Sequence, residues 1–257
     1  MFVTIGDSRI YAESRGEGPE IVFIHGLGGT GSIYFPVANE LSDSCRTVLY
    51  DWSGSGASSR PHREYSIPGW ADEAKDLCVA LGIDSAVFVG HSMGAAVAVT
   101  LAARYPELAF GIILLGPVTK LAEAGMNAFR DRAAKVRAEG MGPIADVLPN
   151  GALAARTRES NPAVHGLFRA MLLSNDPECY ALHCEALMRS GADTLIPEVQ
   201  CPALLIAGEA DPTAPPAAVE AMSQRFPSAR TVLIGQAGHA MQLDQPGAVA
   251  AAIREFV

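Results

Sequence analysis

The chain of 257 residues contains 49% hydrophobic and 18% charged residues, which excludes an intrinsically disordered protein and allows one large domain or a domain with an insertion. Its 19 basic and 28 acidic residues give a net charge of −9, so no bulk electrostatic attraction to nucleic acid or to an anionic membrane is expected. The five cysteines are scattered without metal-ligand spacing, which predicts reduced thiols in a cytoplasmic protein and no metal site.

The N-terminal residues alternate between apolar and polar, and two short strands, Phe2–Ile5 and Arg9–Ser14, are predicted to form a hairpin. Because no basic stretch followed by a long apolar stretch occurs there, we expect no signal peptide. The longest apolar stretch, residues 94–103, is shorter than the roughly 18 residues that a membrane span needs, and it predicts a buried helix.

Short runs rich in Val, Ile or Leu are predicted to be buried strands of a parallel sheet that is covered on both faces. These runs are Ile21–Ile24, Thr47–Tyr50, Ala86–Val89, Ile112–Leu115, Ala203–Ala207 and Thr231–Ile234. Helices are predicted at Ser66–Leu81, Ser92–Arg104, Pro216–Arg225 and Pro246–Phe256. This alternation predicts an α/β fold with a mostly parallel central sheet flanked by helices.

Residues 118–197 interrupt the alternation of strands and helices. No convincing strand occurs there, and Ala, Met, Leu, Arg and Glu recur at helical spacing. A helical block between two sheet strands is most simply an insertion that covers one edge of the sheet. The sequence therefore predicts a core formed by residues 1–117 and 198–257, with an inserted helical cap at residues 118–197.

A glycine-rich turn after Ile21–Ile24 permits two interpretations. Gly26, Gly28 and Gly31 fit the G-x-G-x-x-G pattern of a dinucleotide-binding turn, and Asp51 follows Gly31 by 20 residues, as an acid for a ribose hydroxyl would. That interpretation leaves the motifs described below without a role, and a hairpin precedes the supposed first strand. In the other interpretation, the turn directs backbone N–H groups at a developing negative charge, and Asp51 accepts backbone hydrogen bonds within its own loop.

The residues Gly90–Gly94 form a G-x-S-x-G motif between a predicted strand and a predicted apolar helix. This motif is typical of a tight strand-to-helix turn that exposes a nucleophilic serine, here Ser92, and the glycines allow strand and helix to approach closely. The amide of Met93, at the helix N-terminus, is a candidate donor for an oxyanion hole, and the amide of Leu27 is the second candidate. The neighbouring His91 is expected to serve in packing.

A serine nucleophile needs a base, and the base needs an acidic partner that orients it. Asp211 and His239 each follow a predicted strand, and the carboxyl ends of parallel strands are where active sites collect. We predict that Ser92 is the nucleophile, His239 the general base and acid, and Asp211 the orienting acid. Glu209 and Asp244 remain alternatives for the acid.

With these motifs, the chain resembles the α/β-hydrolase superfamily over nearly its whole length. The matching residues are His25-Gly26, Asp51-x-x-Gly54-x-Gly56-x-Ser58, Gly90–Gly94, Asp211 and Gly238-His239. A narrower resemblance is to the 3-oxoadipate enol-lactonase and bacterial esterase group. It rests on Asp176-Pro177-x-x-Tyr180, Cys184-Glu185-Ala186-Leu187, Cys201-Pro202-x-Leu204, Pro215-Pro216 and Gln245-Pro246.

The resemblance implies an α/β-hydrolase fold and hydrolysis of a small-molecule ester or lactone, with an enol-lactone among the candidates, through an acyl-enzyme. It implies no cofactor, no nucleic-acid partner and no membrane partner, and it leaves the oligomeric state open. A C–C bond hydrolase acting on a meta-cleavage type substrate and a non-catalytic ligand receptor remain alternatives.

An enol-lactone of this kind carries a carboxylate, which needs a cation in an apolar pocket. Among the cap arginines we expect Arg130 and Arg169 to supply it, because each follows a phenylalanine in the sequence, Phe129 and Phe168.

Overall fold

The computed structural model describes residues 1–61 and 64–257, and in this part of the chain eight strands form one sheet. The strands are β1 (Phe2–Ile5), β2 (Ser8–Arg15), β3 (Glu20–Ile24), β4 (Arg46–Asp51), β5 (Ala86–His91), β6 (Ala109–Leu115), β7 (Ala203–Gly208) and β8 (Ala229–Ile234). Their order is β1-β2-β4-β3-β5-β6-β7-β8, and β1 and β2 pair antiparallel whereas the other six strands run parallel. The predicted hairpin and parallel sheet are confirmed.

The last strand differs from its prediction. The central strands β5 and β7 are buried along their whole length, as continuous apolar runs indicate. By contrast, among the described strands β8 pairs with β7 alone and forms an edge of the sheet, where Leu233 is 57% exposed. The prediction that Thr231–Ile234 is fully buried is therefore wrong, because an apolar run does not reveal whether a strand is central or lies at an edge.

Helices cover both faces of the sheet. In chain order they are α1 (Phe35–Leu41), α2 (Ile67–Leu81), α3 (Met93–Arg104), α4 (Glu123–Glu139), α5 (Gly142–Ala152), α6 (Ala155–Ser160), α7 (Pro162–Leu173), α8 (Pro177–Met188), α9 (Pro216–Ser223), α10 (Met241–Asp244) and α11 (Pro246–Phe256). Helices α2 and α3 share one apolar core with the sheet, and α1 and α11 share the other. In the described part of the chain, none of these helices has both the length and the hydropathy required to cross a membrane.

Five helices, α4 to α8, lie between β6 and β7, and we call the segment of residues 118–197 the insertion. Its apolar residues do not form one separate core. Leu187 of α8 packs into the core on the α3 side, whereas Phe168 and Leu172 of α7 pack into the core on the α1 side. A smaller cluster within the insertion joins α4, α5 and α8 through Val136, Ile144 and other residues. The insertion is therefore held to the sheet by shared apolar packing.

A fully buried histidine joins α8 to the rest of the fold. The ring of His183 packs nearly at right angles against the rings of Trp70 and Tyr65. The distance between ring centroids is 4.9 Å to Trp70 and 4.8 Å to Tyr65. Within the described residues neither ring nitrogen of His183 has a hydrogen-bond partner. Burial, assisted by the nearby His25, lowers the pKa of His183 to about 3. His183 is therefore neutral in the folded protein at ordinary pH.

This burial predicts loss of stability in acid. An unfolded histidine titrates near about 6.5, so below that pH the unfolded chain binds a proton that folded His183 does not bind. The free energy of unfolding should then fall by about 1.4 kcal/mol per pH unit for this group as the pH decreases towards 4. We expect His183→Leu to make this dependence shallower by that amount in urea titrations at pH 6, 5 and 4. A titration at pH 8 isolates the change in packing, and an unchanged slope in acid would contradict the prediction.

Candidate active site

Ser92 lies on a strained turn between β5 and α3. Its φ of 53° and ψ of −117° are unusual for a residue other than glycine, and such strain is characteristic of functional turns. A Cβ atom at Gly90 would lie 2.4 Å from the carbonyl oxygen of Gly94, and one at Gly94 would lie 2.3 Å from that of Ile24. The turn is therefore possible only with glycine at both positions. The Ser92 amide donates to the carbonyl oxygen of Leu115 at 2.9 Å, which holds the turn on the next strand.

Asp211 and His239 form a buried pair at the ends of β7 and β8. Nδ1 of His239 lies 2.8 Å from Oδ2 of Asp211, and Oδ1 of Asp211 accepts hydrogen bonds from the amides of Thr213 and Ala214 at 2.8 and 3.0 Å. Burial alone would raise the pKa of Asp211, but these hydrogen bonds and the attraction to His239 outweigh it, so the pKa is lowered. The ionised carboxylate therefore favours the proton on Nδ1 and leaves Nε2 free to accept one.

Ser92 and His239 line the same cavity, at the carboxyl ends of the parallel strands. In the described chain, the Ser92 hydroxyl makes no hydrogen bond with the His239 ring in this conformation. Such bonds are often long before substrate binds and shorten in the complex with substrate. The structure thus brings the three predicted residues Ser92, Asp211 and His239 to one place.

The two alternative acids contact backbone amides and not the histidine ring. Oε2 of Glu209 accepts a hydrogen bond from the amide of Gln236 at 2.8 Å, on the exposed edge of the loop. Oδ2 of Asp244 accepts from the amides of Gly238 and Ala154, at 2.7 and 3.0 Å. Asp211 is therefore the acid whose carboxylate meets the ring of His239.

The backbone around His239 is held at three consecutive residues. Asp244 binds the Gly238 amide, Nε2 of His91 donates to the carbonyl oxygen of His239 at 2.9 Å, and the Ala240 amide donates to the carbonyl oxygen of Ala152 at 2.8 Å. Burial and repulsion from His239 lower the pKa of His91 to about 3, so His91 is neutral. His91 therefore does more than pack: it fixes the position of the loop that carries His239.

The predicted oxyanion-hole amides belong to two segments that approach each other closely. A Cβ atom at Gly26 would lie 3.1 Å from Cβ of Ser92, so the turn that carries Leu27 lies against the serine turn. Within residues 1–61 and 64–257, neither the Leu27 amide nor the Met93 amide donates a hydrogen bond. Leu27 and Ser92 both line the cavity, and Met93 begins α3. Both amides are therefore available to an oxygen atom bound beside Ser92.

The dinucleotide interpretation of the glycine-rich turn is not supported by the contacts of Asp51. This residue is 5% exposed, and its two carboxylate oxygens accept hydrogen bonds from the amides of Gly31 and Ala57, at 2.8 and 2.9 Å. Because backbone groups occupy both oxygens, the carboxylate is not available to a ribose hydroxyl. Asp51 instead holds two loops together, as the structural interpretation expects.

The cavity beside Ser92 has a volume of about 810 Å³ and a mostly apolar wall. Phe129, Leu148, Phe168 and Leu172 of the insertion contribute to this wall. Among the described residues, the wall contains one lysine and one arginine, Lys120 and Arg132. A largely apolar cavity with a few charged groups is typical of a site for a small organic molecule.

Arg130 and Arg169, which we predicted to face the substrate, do not line this cavity. Arg130 donates to Oδ1 of Asn127 at 2.7 Å and Arg169 pairs with Asp146 at 2.7 Å, both on the outer surface of the insertion. Arg132 lines the cavity in their place. The prediction used sequence neighbours of phenylalanine, whereas residues three apart share a helix face, as Phe129 and Arg132 do on α4. Helical spacing could therefore have identified Arg132.

Arg132 is half-buried and has no acidic partner among the described residues. Its guanidinium lies over the ring of Phe129, 4.7 Å from the centroid. The phenol of Tyr180, which also lines the cavity, is buried without a hydrogen-bond partner in the described chain. Burial raises the pKa of Tyr180, and the nearby Arg132 opposes that rise. Arg132 and Tyr180 thus lie close together in the cavity wall, and Arg132 has no carboxylate partner among the described residues.

Comparisons with known proteins agree with this architecture. The model of the alpha/beta hydrolase family matches residues 21–252. The 3-oxoadipate enol-lactonase 2 of Acinetobacter baylyi is 29% identical over 230 residues, 90% of this chain and 85% of that protein. An esterase of Thermogutta terrifontis, solved with malate bound, has a TM-score of 0.93 at 30% identity and covers 99% of this chain and 94% of its own.

The enol-lactonase of Burkholderia xenovorans LB400 has a TM-score of 0.94 at 28% identity and covers 100% of this chain and 99% of its own. These similarities confirm the predicted α/β-hydrolase fold and the resemblance to enol-lactonases and esterases.

The Asp211–His239 pair yields a test of which carboxylate orients the ring. Asp211→Asn should lower kcat for an activated ester by orders of magnitude, on the order of 1,000- to 10,000-fold, because an amide does not fix the required tautomer. Glu209→Gln should leave kcat within about threefold, since in the described chain its carboxylate binds the backbone amide of Gln236, in the loop after β8, and does not bind the ring of His239. A larger loss for Glu209→Gln than for Asp211→Asn would show that the acid is misassigned.

Proposed function

Because the chain belongs to the alpha/beta hydrolase family, we propose that it hydrolyses a small carboxylic ester or lactone through an acyl-enzyme formed on Ser92. The observation that carries the proposal is the shared cavity of Ser92, on its strained turn, and His239, paired at 2.8 Å with Asp211. A serine, a base and an orienting acid at one cavity constitute the machinery of acyl transfer.

In the proposed mechanism the Ser92 hydroxyl attacks the substrate carbonyl while Nε2 of His239 accepts the hydroxyl proton. The amides of Leu27 and Met93 stabilise the negative charge on the carbonyl oxygen. His239 then protonates the leaving oxygen, which departs as an alcohol or remains attached to the acyl group if the substrate is a lactone. In the second half of the reaction His239 activates a water molecule, which releases the acid and restores Ser92.

We further propose that residues 118–197 act as a cap over a core formed by residues 1–117 and 198–257, and that the cap selects an acidic substrate. Arg132, which has no acidic partner among the described residues, and Tyr180 line a cavity whose wall is mostly apolar but also contains Lys120. A half-buried guanidinium that has no carboxylate partner can bind a substrate carboxylate through two hydrogen bonds. Two similar proteins are also associated with dicarboxylic acids: one is named as an enol-lactonase of 3-oxoadipate, and the other is an esterase solved with malate bound.

The first test is removal of the nucleophile. Ser92→Ala should lower kcat for p-nitrophenyl acetate by at least about 1,000-fold while the melting temperature stays close to that of the wild type. A fluorophosphonate reagent should label the wild-type protein once, at Ser92 by peptide mass, and should not label the variant. Wild-type turnover in a folded Ser92→Ala variant would exclude the acyl-enzyme. A folded wild-type protein that neither turns over esters nor is labelled would favour a ligand receptor.

The second test concerns the substrate carboxylate. Arg132→Gln should raise KM for p-nitrophenyl hemisuccinate by about 10- to 100-fold, equivalent to roughly 1.4–2.8 kcal/mol, because the guanidinium–carboxylate contact is lost. The neutral p-nitrophenyl butyrate, of similar length, should change by less than about threefold. Arg130→Gln and Arg169→Gln serve as matched controls, since both side chains lie outside the cavity. Equal losses on both esters would contradict an acidic substrate and favour a neutral one.

A further inference from the structure

Asp244 lies between the loop that carries His239 and the insertion. It ends α10 and is half-buried, and one oxygen, Oδ2, accepts hydrogen bonds from the amides of Gly238 and Ala154. The amide of Gly238, at 2.7 Å, belongs to residues 235–240, which connect β8 to α10 and which we call the histidine loop. The amide of Ala154, at 3.0 Å, belongs to the connection between α5 and α6. A single carboxylate oxygen thus joins the two segments.

A second contact joins the same segments on the other side of His239. The amide of Ala240 donates to the carbonyl oxygen of Ala152 at 2.8 Å. A Cβ atom at Gly238 would lie 2.6 Å from that carbonyl oxygen and 3.0 Å from the Ala154 nitrogen, so the two backbones are in direct contact. Displacement of residues 152–154 would therefore break backbone contacts on both sides of His239.

The residues that contact the histidine loop adjoin residues that line the cavity. Leu148, Asn150, Gly151 and Ala152, at the end of α5, form part of the cavity wall. A substrate that fills the cavity therefore touches the segment to which Asp244 and Ala240 are bound. The acyl group of a bound substrate would thus contact residues that are hydrogen-bonded to the backbone next to His239.

We propose that Asp244 is a positioning residue that couples the insertion to His239, so that docking of residues 152–154 sets the position of the base. This inference rests on the proposed function, because the readout is ester hydrolysis. The charge on Asp244 strengthens both amide bonds, and Oδ1, which is buried without a partner in the described chain, takes no part in them. An asparagine whose oxygen replaces Oδ2 can keep both bonds, whereas an alanine keeps neither.

The experiment compares Asp244→Ala, Asp244→Asn and the control Glu209→Ala on two esters. Glu209 is the matched control because its carboxylate also binds an amide of this loop, that of Gln236, without contacting the insertion. The esters are p-nitrophenyl acetate, which is too small to fill the cavity, and p-nitrophenyl hexanoate, which occupies more of it. Melting temperatures and circular dichroism establish that each variant is folded.

If Asp244 positions His239, Asp244→Ala should lower kcat by about 10- to 100-fold on both esters, because a displacement of about 1 Å has this effect on a catalytic group. Asp244→Asn should restore kcat to within about fivefold of the wild type, and Glu209→Ala should stay within about threefold. A loss confined to KM for the hexanoate would show that Asp244 shapes only the acyl pocket, and it would overturn the inference. Equal losses for Glu209→Ala would overturn it as well.

A second variant removes the insertion's half of the contact. Ala154 has φ −59° and ψ 147°, and Leu153 before it is extended with φ −91° and ψ 143°, so proline fits this backbone. Ala154→Pro replaces the N–H with a methylene group that forces the Asp244 carboxylate away. We expect the same loss of kcat as in Asp244→Ala, and no further loss beyond about twofold in the double variant. Independent, multiplying losses, or wild-type kcat in Ala154→Pro, would overturn the coupling.

The Ser92→Ala variant separates failure of this inference from failure of the proposed function. If Ser92→Ala is inactive and Asp244→Ala retains wild-type kcat, only the inference is wrong. If folded Ser92→Ala retains wild-type activity, the acyl-enzyme proposal is wrong, and the kinetics of the Asp244 variants no longer support a coupling to His239.

Discussion

Close contact among three backbone segments is the constraint on which the site depends. The serine turn, the start of α3 and the turn after β3 meet where side chains would not fit, with Gly90, Gly94 and Gly26 at the contacts. This contact places Ser92 above the sheet and the amides of Leu27 and Met93 beside it. The strained backbone of Ser92 is tolerated because strands buried on both faces hold its surroundings rigid.

The same burial determines the electrostatics around the site. The apolar surroundings of the sheet and its helices disfavour charge and lower the pKa of His91 and His183, so both rings are neutral. Each of these rings lies at a junction between segments. Asp211 keeps its charge because backbone amides and His239 compensate for the lost water. His91 and His183 are thus neutral and structural, whereas His239 is paired with the ionised carboxylate of Asp211.

The insertion contributes to the site through shared packing. Its apolar residues complete both cores of the sheet, and its remaining surface forms much of the cavity wall. The chain leaves the sheet after β6 and returns at β7, and residues of the insertion line the cavity beside Ser92. Two hydrogen bonds connect this segment to the surroundings of His239: the amide of Ala240 donates to the carbonyl oxygen of Ala152, and the amide of Ala154 donates to Asp244.

From the residue pattern we could predict the strands, the strand-to-helix turn and the candidates Ser92, Asp211 and His239, because apolar runs and glycine spacing are local features that dictate local backbone. The contact of Asp211, and not of Glu209, with the ring of His239 becomes visible only once the chain is folded, because two residues of one loop can point in different directions. Folding likewise makes β8 an edge strand and places Arg132, rather than Arg130, in the cavity wall. Those outcomes depend on strand neighbours, loop direction and the rotation of a helix against its neighbours, which are set by packing between segments distant in the sequence.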